Sequence, residues 1–436
     1  MSELREKHPE VGTCVELFAG GGGLAMGVHN AGFRPLLVNE YAKRAVETLQ
    51  TNCTPEGEKW PVKPGDVRDL VNEFKALDGK VDILAGGPPC QPFSLGGVAK
   101  GMEDERNMFP EMFRAIREMR PKAVICENVR GLLRPSFEPY FEYILNELRL
   151  PFEKRKKDAT WEDHNDVLKK KIANDDVPAS ERYFVKHIPV NAANYGVPQI
   201  RQRVIIVAFR ADLGIDEETW ETFEPKQTHS DEALIHSMRE GGEYWGPERH
   251  HYVDPEAKAR TIANLPELDY DNPKTKKMLE LQPWRTLRDA IQGIDEFEGC
   301  PLPFVEVDDV ENKRQVGDIS DHFGWPGARV YTGHTPNLLD RPAKTVKAGV
   351  HGVPGGESVM QMDDPTFNGT GYRYMTVRET ARVMTFPDEW ELAGPRGEKM
   401  RQLGNAVPVR LGTTFANAVG DALRSVGALK QTGGKQ

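Results

Sequence analysis

The stretch Thr13-Cys14-Val15-Glu16-Leu17-Phe18-Ala19-Gly20-Gly21-Gly22-Gly23 decides the fold. Its first six residues follow the pattern of a buried strand, four glycines make a turn, and a helix is predicted from about Leu24. A strand that runs through glycines into a helix is typical of nucleotide-binding α/β units, because backbone amides at the helix N-terminus can approach a ligand. Taken alone, the turn is equally compatible with a simple tight strand–helix junction.

Further apolar runs repeat this unit along the chain. Strands are predicted at Pro35 to Val38, Val81 to Ala85 and Ala123 to Cys126, with helical periodicity between them, and Val204 to Phe209 is another buried strand. This βαβα alternation predicts an α/β fold with a doubly wound, mostly parallel sheet and helices on both faces.

The pattern changes after Arg210, where strands become scarce and Pro and Gly frequent. We therefore predict two domains. The predicted segments are 1–210 with 400–428 as the catalytic domain, 211–370 as a smaller loop-rich domain, 371–399 as a return segment and 429–436 as a disordered tail. The highly charged stretch 152–183 is predicted to be a solvated helical insertion.

Composition limits the class of protein. Five cysteines are scattered without a CxxC pair, which argues against disulfides and a zinc site and favours a reducing, cytoplasmic location; no metal is expected. No apolar run reaches the roughly 18 residues of a membrane span. The net charge of −10 suits a nucleic-acid-binding protein only if its basic residues gather on one face.

Two acidic residues strengthen the glycine turn as a nucleoside pocket. Glu40 ends the second strand, about 20 residues downstream, where an acid typically binds ribose hydroxyls. Asp66, in Gly65-Asp66-Val67, ends the predicted third strand and could accept a hydrogen bond from an adenine amino group. Because a P-loop lysine is missing, a compact nucleoside is favoured over a phosphate-rich cofactor.

A second set of residues carries candidate chemistry. The strand Val81 to Ala85 ends in Gly86-Gly87-Pro88-Pro89, and Cys90 follows at the tip of the turn. Glu127 ends the next strand and is expected at the same sheet edge, where ligands collect in such folds. An inert buried thiol and a surface acid are the alternatives from these residues alone.

The segment Gln199-Ile200-Arg201-Gln202-Arg203 precedes a strand. Strand alternation would place Gln199, Arg201 and Arg203 on one face, which suits recognition of an anion or a carbonyl group. A solvated edge strand is the alternative.

These motifs together resemble the DNA cytosine-5 methyltransferase family, over nearly the whole chain. The signatures occur in family order: Phe18-Ala19-Gly20-Gly21-Gly22, Gly65-Asp66-Val67, Pro89-Cys90-Gln91, Glu127-Asn128-Val129, Gln199-x-Arg201-x-Arg203, Arg378-Glu379-x-Ala381-Arg382 and Gly404-Asn405-Ala406-Val407-Pro408. The resemblance implies a Rossmann-like fold, S-adenosylmethionine as methyl donor, double-stranded DNA as substrate and 211–370 as a target-recognition domain.

The resemblance also implies the roles of individual residues. Cys90 would add to C6 of a flipped-out cytosine, and Arg201 would activate the thiol. Glu127 would engage N3 and the exocyclic amine of the base, while Arg203 would hold its O2 carbonyl. The implied cofactor contacts are Phe18, Gly20, Gly22, Glu40, Asp66, Val67, Pro89, Asn405 and Val407. The implied DNA contacts are Gln91, Ser94, Lys100, Arg106, Gln199 and Thr345, with the glycine-rich segment 95–101 as a closing lid.

Two other functions remain open at this point. One is a tRNA cytosine-5 methyltransferase on the same scaffold, against which the large 211–370 segment argues. The other is an inactive DNA-binding relative, against which the presence of Cys90, Glu127, Arg203 and Glu40 argues. A monomer is expected, and it stays open whether a separate cognate restriction endonuclease accompanies the protein.

Overall fold

The computed structural model describes residues 10–52, 57–89, 107–250, 253–293, 300–349 and 358–429. The chain separates into two compact units. The first unit comprises Met1–Val190, Gln202–Pro225 and Gly412–Gln436, and the second comprises Asn191–Arg201 and Lys226–Leu411. The second unit differs from the predicted 211–370, because residues 211–225 belong to the first unit, whereas 191–201 and 371–411 belong to the second.

A seven-stranded sheet forms the centre of the first unit, in the order β3-β2-β1-β4-β5-β7-β6. Its strands are β1 Gly12–Leu17, β2 Phe33–Glu40, β3 Val62–Pro64, β4 Ile83–Gly86, β5 Ala123–Val129, β6 Tyr183–Asn191 and β7 Gln202–Arg210. The strands from β3 to β5 pair in parallel, and β7 runs antiparallel to β5. Because β4, β5 and β7 are almost wholly buried, these strands read as continuous apolar runs.

Helices join the strands of this sheet. They are α1 Gly23–Asn30, α2 Lys43–Thr51, α3 Val71–Ala76, α4 Phe109–Met119, α5 Glu138–Arg149, α6 Trp161–Asn174 and α7 Glu217–Phe223. On α4, the residues Phe109, Met112, Phe113, Ile116 and Met119 recur with helical spacing, and all are buried in the main core. The periodic pattern predicted from the sequence is therefore the face that packs on the sheet.

The end of the chain returns to its beginning. Helix α15, Val409–Ser425, packs against α1 at two glycines, since a Cβ atom on Gly27 would lie 2.7 Å from the Thr413 nitrogen and 2.8 Å from the Gly412 carbonyl carbon. The helices approach backbone to backbone there, which only residues without a side chain allow. Residues from Gly412 onward thus complete the first unit.

The charged insertion is helical. Helix α6 begins with a capping box made by Thr160 and Asp163, and one of its faces packs on α5. There the Tyr143 hydroxyl donates to Oε1 of Glu147 at 2.7 Å and lies 3.1 Å from Nδ1 of His164. A buried polar network therefore attaches the insertion to the first unit.

The second unit is built from short elements and buried ion pairs. Its helices are α8 Asp231–Ser237, α9 Pro255–Ala263, α10 Pro273–Leu279, α11 Leu287–Gln292, α12 Val307–Asn312, α13 Val377–Val383 and α14 Arg396–Asn405, and its strands are β8 His229–Ser230, β9 Gln282–Pro283, β10 Val359–Gln361 and β11 Tyr372–Tyr374. The fully buried Arg288 pairs with Asp340 at 2.6 Å and with Asp363 at 2.7 Å. Such networks hold a loop-rich unit that has few strand hydrogen bonds.

The predicted fold class is confirmed: the sheet is mostly parallel and carries a Rossmann-like topology. Strand β6 was not predicted, and β5 continues through Glu127 to Val129 instead of ending at Cys126. Among the helices of the described ranges, none is long and apolar enough to cross a membrane.

Candidate active site

Three parallel strands bring the candidate residues to one edge of the sheet. In the strand register, Gly86 of β4 lies beside Leu17 of β1 on one side and beside Cys126 of β5 on the other. The residues that follow this row are Phe18, Gly87 and Glu127. The glycine turn, the approach to Cys90 and the predicted acid therefore share the carboxyl edge of the sheet, as the sequence predicted.

The glycine turn has a left-handed backbone. Gly20 has φ of 56° and Gly22 has φ of 93°, a region that favours glycine, and Phe18 shares it with φ of 58°. Gly22 is the N-cap of α1, and because it is a glycine it has no side chain to cap the helix. A Cβ atom on Gly20 would have no atom of the described residues within 4 Å. The turn therefore exposes open space beside the start of a helix, which suits a ligand.

Glu40 fixes the shape of this turn. Its Oε2 accepts from the Gly20 amide at 2.7 Å, and its Oε1 accepts from the amides of Tyr41 at 2.9 Å and Ala42 at 2.7 Å. The carboxylate thus ties the end of β2 to the glycine turn. Oε1 already accepts two hydrogen bonds and Oε2 only one, so Oε2 keeps acceptor capacity for a hydroxyl group.

Asp66 contacts a partner that the sequence did not predict. It caps the 3₁₀ turn Val67–Asp69, and its Oδ2 lies 2.6 Å from Nη2 of Arg68. The hydrogen bond from Arg68 lowers the pKa of Asp66. Val67 beside it is buried in the main core.

Glu16 is a further candidate that sequence reasoning missed. It lies in β1 one residue before the last strand position, its side chain is buried, and its Oε2 has no hydrogen-bond partner among the described residues. Burial raises the pKa of this carboxyl group well above its usual value. An acid inside an otherwise apolar strand was the signal that could have identified it.

Hydrogen bonds hold the two prolines that precede Cys90 in the chain. The Asn128 side chain donates to the Pro88 carbonyl at 3.0 Å, and the Met108 amide donates to the Pro89 carbonyl at 3.2 Å. The predicted site residues Cys90, Gln91, Ser94, Lys100 and Arg106 lie outside the described residues. Pro89 itself is exposed.

Glu127 and Arg203 form an ion pair at the same edge. Nε of Arg203 lies 2.6 Å from Oε1 of Glu127, and the two side chains are 12% and 9% exposed. A Cβ atom on Gly87 would lie 3.6 Å from Oε2 of Glu127. Two residues predicted from separate motifs are therefore in contact, directly beside the chain that leads to Cys90.

Gln199 and Arg201 occupy other positions than predicted. Both precede β7 and belong to the second unit, so they do not share a strand face with Arg203. The Arg201 guanidinium is buried and donates to the carbonyls of Gly404 and Ala406, each at 2.8 Å, and of Val346 at 3.0 Å. These hydrogen bonds join the segment of Arg201 to the segments around Val346 and Gly404. They give no support to the predicted role of Arg201 as activator of the Cys90 thiol.

Gln199 is fully buried, and its contact with DNA stays a prediction. Its Oε1 accepts from the Val346 amide at 3.2 Å. Thr345 is half-buried, and its hydroxyl donates to the Ile200 carbonyl at 2.8 Å. The segment around Thr345 therefore packs on the segment before β7, within the second unit.

The remaining predicted cofactor residues lie in the second unit. Asn405 ends α14 and is exposed, whereas Val407 is buried between α14 and α15. Their contact with the cofactor stays a prediction. No cluster of three or more metal-binding side chains occurs in the part of the chain that the structure describes.

The chain matches a family of known proteins. The profile of the C-5 cytosine-specific DNA methylase family matches residues 12–150 and 162–421. The chain therefore belongs to this family of DNA-modifying enzymes. The unmatched residues 151–161 fall in the charged insertion before α6.

Named relatives are bacterial modification enzymes. The chain is 32% identical over 409 residues to the type II methyltransferase M.PspPI of Psychrobacter sp. (strain TA137), covering 93% of this chain and 78% of that one. It is 32% identical over 416 residues to M.Eco47II of Escherichia coli, with the same shares, and 28% identical to M.NgoMIV of Neisseria gonorrhoeae, covering 94% and 98%. The protein is a DNA cytosine-5 methyltransferase.

Solved structures share the fold at low identity. Dnmt2 methyltransferase of S. pombe is 16% identical with a TM-score of 0.51, over 95% of this chain and 99% of that one. The methyltransferase EhMeth of Entamoeba histolytica is 13% identical with a TM-score of 0.52, over 94% and 98%.

Proposed function

We propose that the protein transfers a methyl group from S-adenosylmethionine to C5 of a flipped-out cytosine in a specific duplex DNA sequence, through a covalent bond between Cys90 and C6. The observation that carries this proposal is the Glu127–Arg203 pair beside Gly87. It provides an acid and a guanidinium next to the chain that leads to the only thiol of the Pro-Cys turn.

The residues at the glycine turn fit the cofactor. The space beside Gly20, whose backbone is left-handed, suits the nucleoside part of S-adenosylmethionine. Glu40, which accepts a hydrogen bond from the Gly20 amide, lies next to this space. The buried Oε2 of Glu16, which has no hydrogen-bond partner among the described residues, suits a cationic group such as the ammonium of the methionine part. Phe18, Gly22, Asp66, Val67, Pro89, Asn405 and Val407 complete the proposed contacts. When bound, the cofactor would supply an electrophilic methyl group and leave as S-adenosylhomocysteine.

The Cys90 thiolate would add to C6 of the base, and the C5–C6 double bond would supply the electron pair that C5 uses to take the methyl group. Glu127 would share a proton with N3 and accept a hydrogen bond from the exocyclic amine, so that the ring can accept charge as the thiolate adds. Arg203 would hold both Glu127 and the O2 carbonyl. Loss of the C5 proton to water and departure of the thiolate then restore the aromatic ring.

Neither C5 nor C6 can be reached inside a duplex. The base must therefore be extruded, at a cost of a few kcal/mol. Residues Gln91, Ser94, Lys100 and Arg106, near Cys90 in sequence, are proposed to contact the DNA as the segment closes. We further propose that the enzyme acts as a cytoplasmic monomer, and a restriction endonuclease of the same specificity would act separately.

The proposal is tested in cells that express the protein. Bisulfite sequencing of their DNA should reveal fully methylated cytosines in one sequence context, and Cys90→Ser should abolish this signal. A parallel assay should offer labelled S-adenosylmethionine with duplex DNA or with tRNA. Transfer to tRNA but not to DNA would assign the substrate to RNA and contradict the proposal.

A further inference from the structure

Six residues of the second unit form what we call the cation–aromatic surface. It consists of Lys313, Trp325, Arg329, Tyr331, Tyr374 and Arg396. The Trp325 ring is contacted by two cations, Nζ of Lys313 at 4.7 Å and the Arg396 guanidinium carbon at 5.2 Å from its centroid. Each cation therefore lies where the electron-rich face of an aromatic ring attracts it.

The other half of the surface repeats this arrangement. The Arg329 guanidinium carbon lies 4.8 Å from the centroid of the Tyr331 ring. Tyr374 joins the halves, because Arg396 lies 5.6 Å from its ring and Arg329 acts on it electrostatically. Lys313, Arg329 and Tyr331 are exposed, so a large ligand can reach them.

The charges of this surface are unusual for the second unit. Its other arginines are mostly matched by acids, as in the pairs Arg249–Asp289, Arg373–Glu379 and Arg382–Asp388. Within the described ranges, none of Lys313, Arg329 and Arg396 forms an ion pair. In a chain with a net charge of −10, three cations without a carboxylate partner on one surface favour the binding of an anionic ligand there.

Arg396 shows what such a ligand would gain. The group is half-buried, and burial lowers its pKa to about 10. Its side chain donates to the Met375 carbonyl at 3.2 Å, which leaves other guanidinium N–H groups for a ligand. An anion placed here would offset the desolvation of the guanidinium.

The chemistry of the surface also suits a nucleic acid. Guanidinium groups bind phosphate oxygens or the edge of guanine in a bidentate manner, and aromatic rings stack on sugars and bases. An acidic peptide would use the cations but not the exposed Tyr331 ring and the half-exposed Trp325 ring that lie among them. The chemistry therefore favours DNA over a protein partner.

We propose that the cation–aromatic surface is a DNA-contact surface of the second unit, in which the exposed Arg329, held by Tyr331, reads a base edge while Lys313 and Arg396 hold phosphates. This inference rests on the proposed function and deepens it, since it names residues that determine the target sequence. The sequence alone did not identify them, because they come from four separate segments.

The test uses the full-length protein and two duplexes, one carrying the target sequence mapped by bisulfite sequencing and one with that sequence shuffled. Lys313→Ala should weaken binding to both duplexes equally and reduce the slope of log Kd against log salt by about 0.9. Arg329→Ala should reduce the preference for the target duplex on the order of tenfold or more. Arg329→Lys should not restore that preference, because a lysine lacks the bidentate fork.

Arg239→Ala provides the matched control. Arg239 also lies over a tyrosine, 6.0 Å from the Tyr270 ring, but it pairs with Glu267 at 3.4 Å. The Arg239→Ala variant also removes one positive charge. It should leave the DNA affinity, the salt slope and the preference for the target duplex unchanged. If Lys313→Ala and Arg329→Ala behave like this control while the wild type methylates DNA, the inference is wrong and the proposed function stands. If the wild type methylates no DNA, the proposed function itself fails.

Discussion

Glu127→Gln removes the charge of the buried ion pair while keeping the shape of the side chain. Nε of Arg203 lies 2.6 Å from Oε1 of Glu127, and both side chains are largely buried. Removing one charge of a buried ion pair leaves the other without its counterpart, so we expect the free energy of unfolding to fall by up to about 3–5 kcal/mol. If Glu127 also acts on the base during the reaction, kcat should fall by roughly 10²–10⁴-fold.

Glu379→Gln separates these two effects. Glu379 forms a buried pair with Arg373 at 2.6 Å and also accepts from the Thr376 amide at 2.8 Å, so its loss should cost at least as much stability. It lies in the second unit, outside the candidate site. Urea unfolding and single-turnover methyl transfer to saturating duplex DNA should be measured for both variants. The reasoning is refuted if Glu127→Gln keeps kcat within a few-fold of wild type, or if Glu379→Gln loses kcat equally.

Three further outcomes are expected. Burial and neighbouring arginines lower the pKa of His229 to about 4, so stability present above pH ~6.5 is lost as the pH falls towards that value. The loss should reach about 2 kcal/mol at about pH 5 and should be absent in His229→Gln; urea midpoints that change equally in both proteins would contradict it. Gly27→Ala should lower the free energy of unfolding by about 1–3 kcal/mol because its new Cβ would meet backbone atoms. Gly412→Ala should lower it less because its Cβ would meet a flexible leucine side chain at 3.3 Å. Equal thermal midpoints of the two variants would refute this expectation. Arg201→Lys should lower the free energy of unfolding by about 1.5–3 kcal/mol, since one ammonium group cannot reach three separated carbonyls. An unchanged thermal midpoint would show that Arg201 does not hold these backbone segments together.

Strand-end arguments predicted the centre of the site. Parallel strands bring their carboxyl ends to one edge, so Glu127 and the turn before Cys90 could be placed together from local patterns alone. The pairing of Arg203 with Glu127 goes beyond those patterns. It depends on the antiparallel insertion of β7 beside β5, in which Val129 lies opposite Arg203.

The errors have a common physical cause. The prediction extends the alternation of β7 to residues that precede the strand. It therefore expects Gln199 and Arg201 on the same face as Arg203. Their side chains are instead buried against distant segments around Val346 and Gly404, contacts that periodicity does not encode. The missed Glu16 was visible as an acid in an apolar strand, but only its partnerless buried oxygen marks it as a candidate.

The central claim is that Cys90 bonds to C6 of the target cytosine. Duplex DNA with 5-fluorocytosine at the target position tests it most directly, because after methyl transfer the fluorine on C5 cannot leave as a proton and the thiolate cannot depart. With S-adenosylmethionine present, we predict a covalent protein–DNA complex that survives denaturation, with peptide mass mapping to Cys90. Absence of the complex in an enzyme that methylates normal DNA, or attachment at the exposed Cys300 instead, would contradict the account.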